Sequence, residues 1–360
     1  MESVYIHIPF CKSICSYCDF CKLYYQYNIV NKYLDELSNE IKKNYKKEVL
    51  KTIYIGGGTP SSLCYEQLNK LFSIIKMFKL QNNYEFTIEV NINDITTRFL
   101  ELCHSNGVNR LSVGIETVNK KFYKYLNRYN DENDIIEKIE LSKKYFDNIN
   151  IDLMYGFEKE TLEDLKKDLD FISKLDVQHI SIYSLIIEEH TKLYIEKANR
   201  VDEQLDSEMY YYILNYLKKI GFDHYEISNF SKKGYKSVHN LYYWNNLNYY
   251  GFGLGASGYI DNIRYTNTRS ITNYLKGEYL LNKEIIDDKT KMEEEMICGL
   301  RKTEGVSKNI FLKKYKKDIK DVFDIDCLLE KKLLLENDNY IFIPEDKLYI
   351  SNSILINFIL

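Results

Sequence analysis

Cys11, Cys15 and Cys18 are separated by three and then two residues, directly after an apolar run. Three thiolates on one short loop can each hold one iron of a cubane [4Fe–4S] cluster, leaving the fourth iron open to a ligand from outside the chain. A zinc knuckle is the rival chemistry, because structural zinc takes four ligands and Cys21 offers a fourth thiolate. The spacing, Tyr17 ahead of Cys18, and the strand-like run before the motif favour iron–sulfur, with Cys21 a bystander. A disulfide framework fits poorly: it belongs to small secreted chains and scatters its cysteines, whereas four of the eight here crowd one window. Cys64, Cys103, Cys298 and Cys327 stand alone and read as small buried apolar residues.

The elements that must position this loop alternate. Runs rich in β-formers at 4–8, 52–55, 86–90, 110–115, 149–154 and 179–185 are separated by helical periodicity. Val30, Tyr33, Leu34, Leu37 and Ile41 recur at the spacing of one helix face, as do Leu162, Leu165, Leu169, Ile172 and Leu175. Thr161 and Asp164 form a capping pair ahead of the second run. Such alternation predicts parallel strands joined by right-handed crossovers, with function gathered at the C-terminal strand ends. Polar residues fall there: Gly56 to Thr59 after the second run, Glu89 at the end of the third, Glu116 just past the fourth and Asp152 within the fifth.

Past about residue 200 the rhythm changes. Residues 202–220 read as a helix, 225–273 are rich in Tyr, Asn and Gly, and from 285 the chain turns Lys- and Glu-rich and helical, with β-like pieces at 340–343 and 348–350. The expected division is a barrel domain over 1–225, an extension over 226–284 and a small C-terminal domain over 285–360. A net charge of −4 argues against a nucleic-acid binder built on a basic surface. No targeting segment is visible, and the apolar tract 350–360 is too short to cross a bilayer and is broken by Ser351, Asn352 and Ser353. Cytoplasm is the expected location, with peripheral membrane contact compatible.

Tyr5, His7, Pro9, Phe10, Cys11, Cys15, Tyr17, Cys18, Asp19 and Phe20, at these spacings, resemble the signature of radical S-adenosylmethionine (SAM) proteins. The branch is the one around oxygen-independent coproporphyrinogen III oxidase and the HemW-type heme chaperones, and the resemblance covers nearly the whole chain. It implies an α/β fold: a partial (β/α)6 barrel with a small α+β C-terminal domain, a winged helix being the form to look for. It also implies a [4Fe–4S] cluster on Cys11, Cys15 and Cys18, with SAM on the open iron as the source of a 5′-deoxyadenosyl radical. The SAM positions it carries over are Tyr5, Tyr17, Gly57, Gly58, Thr59, Glu89, Arg128 and Asp152, with Glu116 at the adenosyl site. Two residues depart from the family pattern: Glu116 stands where Gln is usual, and Ile92 follows Asn91 where Pro is usual.

Within that branch the chain resembles the chaperones. The oxidase motif ends Cys-x-Cys after a long N-terminal extension, whereas here Asp19 and Phe20 follow Cys18 and ten residues precede Cys11. His239, Asn240, Tyr243 and Trp244 match the chaperones' His-Asn-x-x-Tyr-Trp motif, and residues 225–230 before it also fit. The resemblance then implies heme as cargo, recipient heme proteins such as membrane respiratory enzymes as partners, no nucleic acid, and a homodimer as an open option. His239 is a candidate axial heme ligand, set equally against a structural hydrogen-bonding role beside Trp244, the only Trp. The alternative function is the radical SAM decarboxylation of a porphyrinogen.

Overall fold

The computed structural model describes residues 2–359, so Met1 and Leu360, at the ends of the first and last expected segments, lie outside it. Six parallel strands form its centre: β1 (Glu2–Ile8), β2 (Val49–Gly57), β3 (Lys79–Asn91), β4 (Arg110–Glu116), β5 (Ile149–Tyr155) and β6 (His179–Ser184). They pair in chain order, each with its successor, as successive β/α units require. Helices α1 (Tyr27–Asn44), α2 (Tyr65–Ile75), α3 (Thr97–Ser105), α4 (Glu132–Ser142) and α5 (Leu162–Ser173) make the crossovers.

Strand alternation separates the two faces of this sheet. Val4, Ile6, Ile53, Ile55, Phe86, Ile88, Leu111, Val113, Ile149 and Ile151 point to one side, in one core with Val30, Leu34, Leu37 and Ile41 of α1 and the apolar residues of α2 to α5. The other side carries Ser3, Tyr5, His7, Thr52, Tyr54, Glu89, Ser112, Asn150, Asp152 and Ser181, brought into line by the parallel register. The expected capping of α5 is present: Thr161 Oγ1 accepts from the Asp164 amide and the Asp164 carboxylate accepts from the Thr161 amide.

Helix α6 (Glu203–Lys219) follows, capped by Asp202, whose side chain accepts from the Leu205 amide. The next strands join the same sheet. β7 (Asp223–Glu226) and β8 (Asn229–Ser231) add antiparallel beyond β6, while β9 (Tyr249–Phe252) pairs parallel with β1. β10 (Ser257–Ile260), β11 (Ile263–Asn267) and β12 (Leu280–Ile285) extend that edge antiparallel. The twelve strands run β12-β11-β10-β9-β1-β2-β3-β4-β5-β6-β8-β7. Helix α7 (Val238–Trp244) lies over the N-terminal part of the polar face, where Glu85 accepts from the amides of Val238 and His239. The C-terminal part holds α8 (Asp288–Gly299), α9 (Lys308–Tyr315) and a small antiparallel sheet of β13 (Val306–Ser307), β14 (Leu335–Glu336) and β15 (Tyr340–Phe342). One local expectation fails: residues 348–350 belong to a 3₁₀ turn, Glu345–Ile350, that starts after Pro344 and buries only Leu348. Two alternating apolar residues looked like a strand, but no neighbouring strand takes them up.

Candidate functional site

At the C-terminal ends of β1 to β6 the polar face opens into a cavity of about 530 Å3, lined by all three motif cysteines and most of the polar residues singled out above. The cysteine loop leaves β1 after Pro9 and is pinned at its base: the Leu23 amide donates to Pro9 O at 2.6 Å and the Tyr25 amide to Cys11 O at 2.9 Å. Its tip is held by Ser16, whose amide donates to Leu126 O, and by Asn127, whose side chain donates to Ile14 O. Cys11, Cys15 and Cys18 therefore face the cavity from a loop fixed at both ends.

The glycine turn abuts that loop. Gly58 N–H donates to Ile8 O and Thr59 N–H to Phe10 O, both at 2.9 Å, and Thr59 Oγ1 lies 3.5 Å from Cys11 Sγ. A Cβ on Gly58 would sit 2.7 Å from the Pro9 carbonyl carbon, so only glycine permits this backbone-to-backbone seam. Gly56 plays the same part toward Glu89, whose carboxyl carbon is 2.7 Å from where a Cβ would be. Glu89 then accepts from Tyr54 Oη at 2.9 Å and from Gly57 N–H at 3.0 Å. Burial pushes its carboxyl up to about 7, aided by the nearby Asp152.

Glu116 sits on a β-bulge at the end of β4, with φ of 63°, a left-handed conformation rare for a residue with a side chain. The bulge turns its carboxylate into the cavity, where it pairs with the guanidinium of Arg128. Arg128 also donates to Gly114 O at 2.5 Å and approaches Cys15 Sγ at 3.8 Å. Gly114 clears the space for this pair, since a Cβ there would lie 2.7 Å from Arg128 Nη2. Even so, burial pushes Glu116 up to about 7. Asp152 accepts from Ser112 and Asn150, each at 2.9 Å, and is likewise raised by burial. Glu89, Glu116 and Asp152 thus line one cavity with Asp19 and Glu188, against two cations, Arg128 and Lys22, and this excess of carboxyl groups favours a cationic ligand.

Tyr17, Gly57, Gly58, Thr59, Glu89, Glu116, Arg128 and Asp152 all line this cavity together with the cysteines. Tyr5 does not. Its hydroxyl meets His7 Nδ1 at 2.9 Å, and its ring lies 6.1 Å from that of Tyr54, one layer below Glu89. Cys21 also lies off the cavity: its carbonyl accepts from His7 Nε2 at 2.6 Å and its sulfur packs at Gly255. His239 is further down the polar face and 1% exposed. Its Nδ1 is 2.8 Å from both Ser3 Oγ and Thr52 Oγ1, its Nε2 is 2.8 Å from Tyr243 Oη, and its ring stacks on Tyr54. Both nitrogens are engaged, so an iron would have to displace a partner; the packing supports the hydrogen-bonding role. Tyr54, Ser112, Met154 and Tyr183 line the cavity unforeseen. Period two counted from Glu89 and Asp152, together with the register, was the signal that could have found Ser112.

The residues fit the groups the motif calls for. Three thiols occupy one wall, carboxyl groups and a glycine cradle the other, and the volume lies in the range of cofactor sites. Burial pushes the Cys18 thiol up to about 11, so bound iron is what would hold it as thiolate. Among the described residues no three Cys, His, Asp or Glu side chains converge on a single metal ion. A cubane, by contrast, takes one thiolate per iron.

Residues 5–172 match the radical SAM superfamily. Over its whole length the chain is 37% identical to the heme chaperone HemW of Lactococcus lactis, covering 97% of that protein. It is 37% identical to that of Bacillus subtilis, with 98% of each chain covered, and 30% identical to that of Escherichia coli, with 86% and 85% covered. In fold it is similar to coproporphyrinogen III oxidase (HemN) of Escherichia coli, with a TM-score of 0.89 over 99% of this chain and 89% of the other, at 21% identity.

Proposed function

The chain belongs to the HemW heme chaperone family of the radical SAM superfamily, and from that premise we propose that it binds heme and delivers it to heme proteins. The observation that carries the reading is the convergence of Cys11, Cys15 and Cys18 with Glu89, Glu116 and Asp152 on one cavity, in a chain similar to these chaperones from end to end. Cys11, Cys15 and Cys18 would hold a [4Fe–4S] cluster, and Gly57, Gly58, Thr59, Glu89 and Asp152 would receive SAM. When bound, the pair would supply a one-electron reductant beside a sulfonium whose C–S bond that electron can break.

The chain's own residues do the positioning. Tyr54 and the Gly57 amide hold the Glu89 carboxylate toward the cavity, where it can pair with a cationic amino or sulfonium group. Arg128 neutralises Glu116 and keeps it turned toward Tyr17, so the carboxylate introduced in place of the family's usual Gln is balanced on site. Tyr5 supports Tyr54 from below. Recipient proteins, respiratory enzymes among them, and a homodimer belong to the same reading. No helix among the described residues is long and apolar enough to cross a membrane; a cytoplasmic chain that meets membrane recipients at the surface is the arrangement proposed.

The test is a titration of the purified chain with heme, followed by mixing with an apo heme protein. Saturable binding with a shifted Soret band, and transfer to the acceptor, are expected. Absence of binding would end the chaperone reading, as would steady turnover of coproporphyrinogen III with SAM and a reductant.

A further inference from the structure

A second cavity, of about 580 Å3, shares no lining residue with the first. It lies between the C-terminal end of α1 and one face of β9 to β12, and its volume is in the range of cofactor pockets. Its walls are aromatic. Tyr250 and Phe252 alternate onto that face of β9, with ring planes 10° apart and centroids 5.5 Å apart. Tyr265 lies across β10 where Gly258 has no side chain: a Cβ there would be 2.2 Å from the ring. The hydroxyls of Tyr250, Tyr265 and Tyr279 are bonded to Glu48, the Gly251 backbone and Glu36. Tyr250 and Phe252 are buried and form the floor, while half-buried Tyr265 and exposed Ile263 and Leu280 offer the accessible apolar surface.

The mouth is charged. Lys43, Lys46 and Lys283 surround it, with Asp261 and Glu278 on the acidic side and Glu40 beneath. Glu40 is buried and saturated by Tyr274 Oη, the Gly253 amide and Asn267, with its carboxyl pushed up to about 7 by burial. Asp261 pairs with Lys46. Lys43 and Lys283 are exposed and, among the described residues, have no carboxylate partner at ion-pair distance; Lys43 instead lies 6.0 Å from the Tyr279 ring. Flat aromatic walls with two uncommitted cations at the entrance suit a planar, apolar ligand that carries carboxylates on one edge.

We infer that this cavity is the heme-docking site, with the macrocycle against Tyr265, Ile263 and Leu280 above the buried floor of Tyr250 and Phe252, and the propionates toward Lys43 and Lys283. The inference rests on the heme reading above and adds a location to it. The site is separate from the cysteine cavity, so heme and the cluster can be held at the same time.

The test uses heme titrations of the full chain in three forms: wild type, Lys43→Glu/Lys283→Glu, and Ile186→Glu. The lysines are exposed, so the double variant keeps the fold; Ile186, 63% exposed, marks the mouth of the first cavity. Reversing both charges is expected to weaken heme binding roughly tenfold or more, because propionates would then face like charges. Ile186→Glu is expected to bind as wild type, and heme dimethyl ester to bind all three alike. If wild type binds heme and the double variant matches it within about twofold, the location is refuted while the chaperone reading stands. If wild type does not bind heme, both fall. A wild-type dimer that the double variant dissociates, with heme affinity unchanged, would give the groove to a second copy of the chain and overturn the inference.

Discussion

Replacing Glu89 by glutamine removes one charge and almost no shape. In the folded chain one carboxylate oxygen accepts from Tyr54 Oη and the other from the Gly57 amide. The amide is a fixed donor, but the phenol can turn its hydrogen away and accept. The substituted side chain therefore sets its carbonyl on Gly57 and its NH2 on Tyr54, and neither bond is lost. What changes is electrostatic. Burial, with Asp152 adding to it, raises the Glu89 carboxyl from an ordinary 4.5 to about 7. A carboxyl raised on folding stabilises the chain fully below its unfolded value, and that contribution is lost as pH rises through the folded one. The span is worth at most about 3 kcal/mol. In urea melts of the cofactor-free protein, Glu89→Gln is expected to match wild type near pH 4 and to exceed its stability by about 1–3 kcal/mol near pH 8. SAM affinity moves the other way, falling about tenfold or more, since a charge-assisted hydrogen bond is worth roughly 1.5–3 kcal/mol. Equal stability at both pH values, or unchanged SAM binding, would refute this reasoning.

Other perturbations read different parts of the site. Gly58→Ala drives a Cβ into the Pro9 carbonyl, and a loss of about 1–3 kcal/mol in urea melts, with reduced iron loading, is expected. His239→Ala leaves Ser3, Thr52 and Tyr243 without a shared partner, so stability should fall by about 2–4 kcal/mol while the folded fraction keeps its heme affinity; a selective loss of heme binding would restore His239 as a ligand. Cys15→Ala should abolish iron binding on reconstitution, whereas Cys21→Ala, at a sulfur off the cavity, should retain it; iron lost equally in both would make Cys21 part of the metal site.

Much of the fold was legible because its physics is local. Apolar residues spaced for one helix face became the buried stripe of α1, and the six β-rich runs became the six parallel strands, longer at 49–57 and 79–91 than the runs that announced them. The cysteine loop and glycine turn were legible because their chemistry demands particular residue types at particular spacings. The bulge at Glu116 was not: nothing in the residues around it marks a glutamate for positive φ, and its role depends on Arg128, folded back from further along the same connection. The edge strands β10 to β12 were hidden in a Tyr- and Asn-rich stretch, although Asp261 and Asn262, both at positive φ, are a hairpin signal that could have been read. His239 looked like a ligand because its motif was visible and its partners Ser3 and Thr52, far away in the chain, were not.

The most direct measurement is the metal content and electron paramagnetic resonance spectrum of the chain reconstituted without oxygen and reduced, recorded before and after SAM is added. About four irons per chain and a signal that changes on addition of SAM are expected from three cysteines holding a cubane with one open iron. Zinc in place of iron, or an iron signal indifferent to SAM, would contradict it.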